Sequence, residues 1–398
     1  MKILLIGELM RAKNTGGSPV TNHELAMHWS AKPGVDLVCL SPIFSGDGDP
    51  VVSSQYRCAF LKTRHWRSKG FGDLGAMRSF VRSVHRHLDA QPWKPDIVYA
   101  DDFPGIVNAL SSRFPCVLSL HGSSYCPFPT LARNFLSHPY SSLCGMVQNM
   151  VLPDALRRCR AIIINSDFSR SRLIKDYPEL LAEDRIVVLP RGINFKSVIC
   201  PLSRDEARAL VANKFGLPSD VVLLSFIGGI AGHKGQRRLI GIFPGILAKH
   251  PTARLLLPGK HLEDAAACLN LIRELKLEHK VILPGTISEE VRAALYRASD
   301  IYVSASVEGF GQNQVEAMSQ GLPLVALDVG AVHELFEHGR QGYLAKDMDH
   351  FLQLTLQLLQ EPETRERMGK LAAEHALQYP WSRMAEGAYR VFERVLGS

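Results

Sequence analysis

The sequence predicts an α/β protein with two wound parallel sheets, and three observations support this prediction. The chain has 398 residues, which is too long for one ordinary hydrophobic core and favours two domains. Short apolar runs alternate with helical patterns along the chain, as they do in parallel α/β architecture. The runs form two series, with a boundary near Asn194–Pro201. Hydrophobic residues make up 46% and charged residues 21%, which is ordinary soluble globular usage.

The first series predicts six strands, several of which end at small or polar residues. The strands are Ile3–Ile6, Val35–Leu40, Ile97–Tyr99, Cys116–Leu120, Ala161–Asn165 and Ile186–Leu189. Asp101, His121 and Ser166 follow three of them. Ligands of open parallel sheets gather at the carboxyl ends of the strands, so these residues lie where a binding site is expected.

The second series predicts five strands and is followed by helices. The strands are Val221–Gly228, Arg254–Leu257, Val281–Leu283, Ile301–Ser304 and Leu324–Leu327. Helical patterns over Phe351–Leu359 and Glu363–Leu377 come next. Tyr379–Ser382 then breaks the pattern, and Met384–Leu396 is predicted as the last helix.

The most informative segment is Ser306–Met318, which follows a predicted strand. Glu308 and Glu316 stand eight residues apart, with a Gly-Phe-Gly turn between them, and a helix is predicted over Gln312–Gln320. A strand, a glycine turn and a helix N-terminus in this order offer backbone N–H groups to a phosphate. The segment therefore suits a phosphorylated sugar or a nucleotide, with one carboxylate near the phosphates and the other farther along the ligand.

Two further glycine-rich turns precede helices. Asn14–Pro19 contains Gly16 and Gly17, which would let the backbone approach a diphosphate, although a flexible surface loop has the same composition. Phe226–Gly235 follows a strand and carries Lys234, a cation suited to phosphate. Neither turn matches the Walker A or the Gly-x-Gly-x-x-Gly pattern, so nicotinamide binding is disfavoured.

His121 is a candidate functional residue because it follows an apolar strand and precedes Gly122. A single histidine is more often an ordinary hydrogen-bonded residue, so both interpretations stay open. Asp101-Asp102 is a weak candidate for an acid/base pair. Asp47–Asp49 has a metal-binding spacing but lies in a Pro/Gly/Ser-rich loop, so no metal is predicted. No Gly-x-Ser-x-Gly motif supports serine hydrolase chemistry.

Cysteine usage and the N-terminus favour a cytoplasmic protein. The eight cysteines are scattered without any Cys-x-x-Cys pair, which argues against a disulfide framework or a zinc site. The apolar run in Met1–Gly7 is too short for a signal peptide or a membrane span.

The positive charge lies in the first half of the chain. Residues 1–195 hold 23 Lys+Arg and 16 Asp+Glu, whereas the remainder holds 23 of each. The cluster Lys62–Lys69 and the helix predicted after it are either a solvated outer face or a docking patch. The docking partner would be an anionic membrane surface or a lipid-diphosphate acceptor, with the protein peripheral on the inner face of the plasma membrane. Nucleic acid is disfavoured because no recognition motif accompanies the charge.

The second half resembles the nucleotide-sugar glycosyltransferases of GT-B fold, specifically the retaining family 4 type. The matching residues run through Phe226–Gly228, Lys234-Gly235, Gly259, Val281 to Gly285, Ala298–Ser304, Glu308–Gly311, Glu316–Met318, Gly321–Val325 and Gly342–Leu344. The first half is similar more loosely, through Gly16-Gly17, Ser119–Gly122 and Asn165-Ser166.

This resemblance implies two Rossmann-like domains that face each other across a cleft. Residues 1–195 with 379–398 would form the acceptor-side domain, and residues 196–378 the donor-binding domain. The C-terminal helix would cross back to the first domain. A nucleotide diphosphate sugar would be the donor, a glycan, lipid-linked or small molecule the acceptor, and no metal or other cofactor would be required.

The resemblance also implies a role for each site residue. Glu316 would bind the donor ribose, and Glu308 would hold the transferred sugar and stabilise its oxocarbenium-like charge. His121 would face the sugar and the leaving phosphate. The diphosphate would be held by Lys234 and by backbone amides of Gly17, Gly309, Phe310, Gly311 and Gln312. Apart from the resemblance, the turn Leu283–Ser288 contains Ile287 and follows a predicted strand, so it is either a lining of the base or sugar pocket or a simple connecting turn.

One position departs from the family pattern. The family usually has arginine directly after the glycine aligned with Gly228, and this chain has Gly229. Arg191 is a candidate for supplying the missing charge. This departure keeps open a non-catalytic sugar-nucleotide-binding protein. Among enzymes, the alternative to the transferase is a GT-B-fold epimerase or phosphorylase, and no pyridoxal-binding lysine motif supports the phosphorylase.

Overall fold

The computed structural model describes residues 1–9, 17–43, 54–62, 74–121, 150–179, 183–218 and 220–397, and the structural statements below concern these residues. Four of the predictions lie wholly or largely outside them: Gly16, Gly122, the Asp47–Asp49 spacing and the part of the basic cluster that follows Lys62. The described chain forms two compact units, Met1–Gly192 with Trp381–Ser398, and Ile193–Pro380. The predicted divisions at residues 195 and 379 lie three and two residues from these bounds.

In its described residues the first unit contains a seven-stranded parallel sheet. Its order is β3-β2-β1-β4-β5-β6-β7. The strands are β1 (Lys2–Ile6), β2 (Asp36–Ile43), β3 (Arg57–Lys62), β4 (Ile97–Asp101), β5 (Cys116–Leu120), β6 (Ala161–Ile164) and β7 (Ile186–Val188). The edge strand β3 was not predicted, because its charged ends and half-buried residues do not form a clear apolar run.

Helices cover both faces of this sheet and produce two apolar layers. The helices are α1 (Gly17–Ser30), α2 (Leu74–Ala90), α3 (Pro104–Leu110), α4 (150–158) and α5 (Asp167–Asp176). Residues that alternate along a strand enter opposite layers: Leu4 and Ile6 pack with Phe80 of α2, whereas Ile3 packs with Trp29 of α1. This alternation follows from the period of two in a β-strand.

The second unit is a separate parallel sheet, with six strands in the described residues. Its order is β10-β9-β8-β11-β12-β13. The strands are β8 (Val222–Ser225), β9 (Ala253–Leu256), β10 (Val281–Ile282), β11 (Ile301–Ser304), β12 (Leu324–Leu327) and β13 (Gly342–Ala345). The helices are α6 (Phe195–Val198), α7 (Arg204–Phe215), α8 (Gln236–Leu247), α9 (Ala265–Glu274), α10 (Glu289–Ala298), α11 (Gln312–Ser319), α12 (Met348–Gln360) and α13 (Pro362–Ala376). The predicted class of two parallel-sheet domains is confirmed, although β13 was not among the predicted strands.

The last helix, α14 (Trp381–Gly397), belongs to the first unit. The Trp29 indole Nε1 donates to the Ala385 carbonyl at 2.9 Å, and the rings of Trp29 and Phe392 lie 5.0 Å apart. The predicted return of the C-terminal helix is therefore confirmed. Its predicted start at Met384 was three residues late, because Trp381 is already helical and buried against Gly192.

Two further features concern the cysteines and the hydropathy of the helices. Six cysteines of the described residues are free thiols: Cys39, Cys58, Cys116, Cys159, Cys200 and Cys268. Among the described helices, none is both long and apolar enough to cross a membrane.

Candidate active site

Glu308 lies in the turn after β11, where contacts with a neighbouring segment hold its backbone in place. Glu308 forms a parallel bridge with Gly330, and its carbonyl accepts the Ala331 N–H at 3.0 Å. Gly311 closes the turn at φ +99°, in the left-handed region that favours glycine, and an added Cβ would collide with the Gln314 side chain. The turn thus opens directly onto the N-terminus of α11, as the glycine pattern predicted.

Lys234 reaches the same place from the neighbouring strand. It ends a short 3₁₀ turn after β8, and β8 lies beside β11 in the sheet. The Val307 N–H donates to the His233 carbonyl at 2.9 Å, which joins the two turns. The Lys234 ammonium donates to the Glu308 carboxylate at 2.6 Å, and each side chain keeps 22% of its surface exposed.

Glu316 lies four residues after the first residue of α11, and it is buried. Its Oε2 accepts from the Arg292 guanidinium at 3.2 Å and from the Tyr296 hydroxyl at 3.1 Å. Burial raises the pKa of the Glu316 carboxyl, while Arg292, Tyr296 and Gln312 act to lower it. The result is a carboxylate with a fixed orientation close to the glycine turn.

The first unit contains a second polar cluster, around Asp101 at the end of β4. The carboxylate oxygens of Asp101 accept hydrogen bonds from His121 Nε2 at 2.8 Å, from Asn22 Nδ2 at 2.8 Å and from the Ser18 hydroxyl. Burial alone would raise the pKa of Asp101, but the charge and hydrogen bonds of its neighbours lower it to about 2. Because an ionised carboxylate only accepts, His121 Nε2 must carry the hydrogen.

The remaining contacts of this cluster orient His121. The Asp102 carboxylate accepts the His121 backbone N–H at 2.9 Å, and Asp102 itself adopts φ +57°. Within the described residues, His121 Nδ1 is buried and has no hydrogen-bond partner. Asp101, Asp102 and His121 have the spacing of a metal site, but the carboxylates of Asp101 and Asp102 and the Nε2 of His121 are engaged in the hydrogen bonds given above. The cluster therefore suits a hydrogen-bonded Asp–His pair.

Comparison with known families decides the broad identity. Residues 208–375 match the model of glycosyl transferases group 1, and residues 15–197 match that of glycosyltransferase family 4. The chain belongs to the family 4 glycosyltransferases. Together the two matches span 351 of its 398 residues, since they cover 168 and 183 residues.

Individual relatives agree with this assignment. Mannosylfructose-phosphate synthase of Agrobacterium fabrum is 32% identical over 201 residues, which are 48% of this glycosyltransferase and 43% of that protein. D-inositol 3-phosphate glycosyltransferase of Kineococcus radiotolerans is 26% identical over 416 residues, covering 96% of this chain and 91% of its own.

Solved structures support the fold. Sucrose-phosphate synthase from Thermosynechococcus elongatus matches with a TM-score of 0.80 and 18% identity, covering 100% of this chain and 99% of that one. Anabaena HepE in complex with UDP and glucose matches with a TM-score of 0.73 and 19% identity, over 99% and 100% of the two chains. The predicted GT-B fold is therefore confirmed.

The other predicted site residues of this glycosyltransferase are divided between the two units. Gly17 is the first residue of α1. Arg191 lies in the first unit, where its guanidinium donates to the Thr21 hydroxyl, with Nε at 2.9 Å. The buried Phe310 ring packs on Tyr379 at 5.6 Å, and the half-buried Ile287 packs against the core of the second unit.

The structure accounts locally for the departure at Gly229. A Cβ built on this residue would lie 2.8 Å from Leu262 Cδ1, so Leu262 stands where a longer side chain would begin. Leu262 is also one of the large apolar residues that remain exposed, at 43%. An arginine at position 229 would have to displace it.

Sequence reasoning missed three residues of these sites. Asp101 was set aside as an acid/base pair with Asp102. Like His121 it follows a predicted strand, but the meeting of the two depends on the pairing of β4 with β5, which the sequence does not contain. Arg292 and Tyr296 were not considered. Their spacing of four puts them on one helix face, but nothing in the sequence indicates that this face meets Glu316.

Proposed function

We propose that this chain is a retaining glycosyltransferase that moves a sugar from a nucleotide diphosphate sugar to a glycan, lipid-linked or small-molecule acceptor. The observation that carries the proposal is the 2.6 Å contact between Lys234 and Glu308 at the N-terminus of α11. It puts a cation, a carboxylate and helix N–H groups together, which are the groups that a sugar diphosphate requires. The UDP and UDP-glucose complexes of Anabaena HepE support the choice of donor class.

The contact suggests how the donor engages the second unit. Lys234 and Glu308 neutralise each other without ligand, and a bound diphosphate takes over Lys234 as its counter-ion. Glu308 is then released to accept hydrogen bonds from the transferred sugar and to stabilise positive charge at the anomeric carbon. Backbone N–H groups from Gly309 to Gln312 assist the diphosphate.

The reaction then proceeds by positioning and charge stabilisation. The bond between the anomeric carbon and the phosphate oxygen breaks, and the acceptor oxygen forms the new glycosidic bond. The nucleoside diphosphate leaves with the bonding electron pair, and its phosphate oxygen takes up the proton that the acceptor hydroxyl loses. His121 is proposed to contact the sugar and leaving phosphate, with Arg191 and the backbone of Gly17 as further phosphate contacts. Ile287 is proposed to line the donor pocket.

The first unit is proposed to meet the acceptor and an anionic membrane surface. Its helix α2 buries Met77, Phe80 and Val84 and exposes Arg78, Arg82 and Arg86, which are spaced by four residues. These arginines form one basic stripe beside the exposed Lys62. The corresponding location is the cytoplasm, with the protein peripheral on the inner face of the plasma membrane.

The test begins with a thermal-shift screen against UDP-, GDP-, ADP- and dTDP-sugars, in which the bound donor raises the melting temperature. Sugar transfer and donor hydrolysis are then measured for Glu308→Gln. We expect kcat to fall at least a hundredfold, because charge stabilisation at the sugar is lost. Nucleoside diphosphate binding should be kept or tightened, because Lys234 no longer has a competing carboxylate.

Glu337→Gln is the matched control, since Glu337 is exposed and, in the part of the chain that the structure describes, its carboxylate pairs across its own turn with Arg340. It should behave as the parent. A parent protein that binds nucleotide but is as inert as Glu308→Gln would favour the non-catalytic alternative. Interconversion of nucleotide sugars without an acceptor would favour the epimerase.

A further inference from the structure

We propose that Arg292 is a positioning residue for the donor: with Tyr296 it holds one oxygen of the buried Glu316 carboxylate in its ionised form, so that Glu316 can accept hydrogen bonds from the ribose hydroxyls. This inference rests on the proposed function, in which Glu316 binds the ribose. It adds residues of α10 that make no direct ligand contact in that proposal.

One oxygen of the Glu316 carboxylate accepts both hydrogen bonds from α10. Both contacts from α10, at 3.2 Å from Arg292 and 3.1 Å from Tyr296, end on Oε2. Neither contact uses Oε1. Arg292 and Tyr296 are four residues apart, so they approach from the same face of one helix. The carboxylate is therefore clamped through one oxygen, and its plane is fixed.

Burial makes the charge of Arg292 necessary. The Glu316 side chain is 4% exposed, whereas that of Arg292 is 24% exposed. A carboxylate removed from water favours its protonated form unless a nearby cation compensates. A protonated carboxyl loses acceptor capacity toward the two donating ribose hydroxyls. The guanidinium thus preserves the form that recognises ribose.

Other groups around Glu316 do not replace this cation. Glu289 lies on the same helix as Arg292 and is anionic, so it favours protonation of Glu316. Tyr296 and Gln312 act through neutral hydrogen bonds. Tyr302 on β11 is a buried phenol whose own pKa is raised by burial. Arg292 is the only cation that acts on Glu316 among these described groups.

The experiment compares nucleotide binding across pH. UDP, GDP and ADP are titrated calorimetrically into the full chain, and the tightest binder is used with its 2′,3′-dideoxy counterpart. For Arg292→Met, affinity should begin to fall at a higher pH than in the parent as the solution is acidified. The slope should approach tenfold per pH unit, the limit for one proton. The preference for the ribose over the dideoxy form should collapse over the same range.

Two further variants separate positioning from general destabilisation. Arg292→Lys keeps the charge and should restore most of the parental pH profile. Arg297→Met removes an exposed arginine of the same helix and should match the parent. A merely structural role would lower thermal stability but leave the pH profile and the ribose preference unchanged, and that result would overturn the inference.

The outcomes also distinguish this inference from the proposed function. If the parent binds none of the three diphosphates, this inference fails, and the proposed function fails with it if no dTDP-sugar raises the melting temperature either. If the parent binds and Arg292→Met keeps the parental profile, only the role of Arg292 fails. Should Arg292→Met not fold, Tyr296→Phe decides. A smaller displacement of the pH profile in the same direction supports the clamp, and an unchanged profile overturns it.

Discussion

At the scale of single residues, two buried carboxylates differ because of their partners. Asp101 accepts hydrogen bonds from three side chains, and together with the charge of His121 these outweigh its burial, so its pKa falls to about 2. Among the described residues, Arg292 is the cation and Tyr296 and Gln312 are the neutral donors that act on Glu316, but burial prevails and its pKa rises. Asp101 is thus ionised at neutral pH and anchors His121, whereas the charge of Glu316 depends on Arg292 and its other neighbours.

The depressed pKa of Asp101 predicts a pH-dependent contribution to stability. A carboxyl whose pKa falls from 3.8 to about 2 on folding stabilises the protein above the higher value, and this stabilisation is lost as the pH falls toward 2. Its full size is about 2 kcal/mol. In Asp101→Asn the free energy of unfolding should be lower than in the parent at pH 7, and the difference should shrink by about half near pH 3.

Urea unfolding followed by tryptophan fluorescence measures this difference. The four tryptophans, Trp29, Trp66, Trp93 and Trp381, all belong to the first unit, so the signal reports on the unit that contains Asp101. Asp89→Asn is the control, because Asp89 is exposed and its pair with Arg113 is worth at most about 1 kcal/mol. A gap between parent and Asp101→Asn that stays constant from pH 7 to pH 3 would refute the assignment.

At the scale of elements, strand order decides which predicted residues meet. Lys234 and Glu308 are 74 residues apart, yet they touch because β8 and β11 are neighbours in the sheet. The sequence indicates that each residue follows a strand, but it does not contain the order of the strands. His121 and Asp101 meet for the same reason, since β4 and β5 are paired.

Helix α2 leads to a prediction about membrane binding. Replacing Arg78, Arg82 and Arg86 with serine removes three charges, each worth about 1 kcal/mol near an anionic surface. Binding to phosphatidylcholine vesicles that contain phosphatidylglycerol should weaken about a hundredfold. Vesicle sedimentation at low and high salt measures it, because salt screens this attraction.

Replacing the same arginines with lysine keeps the charge and is the control for folding and surface shape. This variant should bind anionic vesicles as the parent does, and none of the proteins should bind vesicles of phosphatidylcholine alone. If the parent ignores anionic vesicles, or the serine variant binds equally well, α2 presents an ordinary solvated face.

At the scale of the whole molecule, the alternation of strands and helices could be predicted from the sequence. The predictions failed at particular strands and side chains. Buried strands such as Cys116–Leu120 and Ile301–Ser304 were predicted with their full bounds, because central parallel strands form continuous apolar runs. The edge strands β3 and β13 were missed, because they carry polar or small residues. Arg292 was missed for a different reason, since its role depends on how two helices pack.

The return of α14 to the first unit predicts that the C-terminus is needed for that unit to fold. This helix buries four of its own large side chains, those of Trp381, Met384, Val391 and Phe392. At about 2 kcal/mol each, their burial contributes on the order of 8 kcal/mol, which is comparable to the whole stability of a domain. A chain ending at Pro380 should therefore lose the native tryptophan fluorescence of the first unit.

The second unit supplies the internal reference, because Ile193–Pro380 has its own core. Limited proteolysis of the truncated chain should leave a resistant fragment of about this extent. In the full chain, Phe392→Ala should destabilise the first unit by about 3–5 kcal/mol, since it leaves a cavity beside Trp29 and Tyr99. Arg390→Ala, at an exposed position of the same helix, should change stability by less than about 0.5 kcal/mol. Native fluorescence in the truncated chain would show instead that the first unit folds without α14.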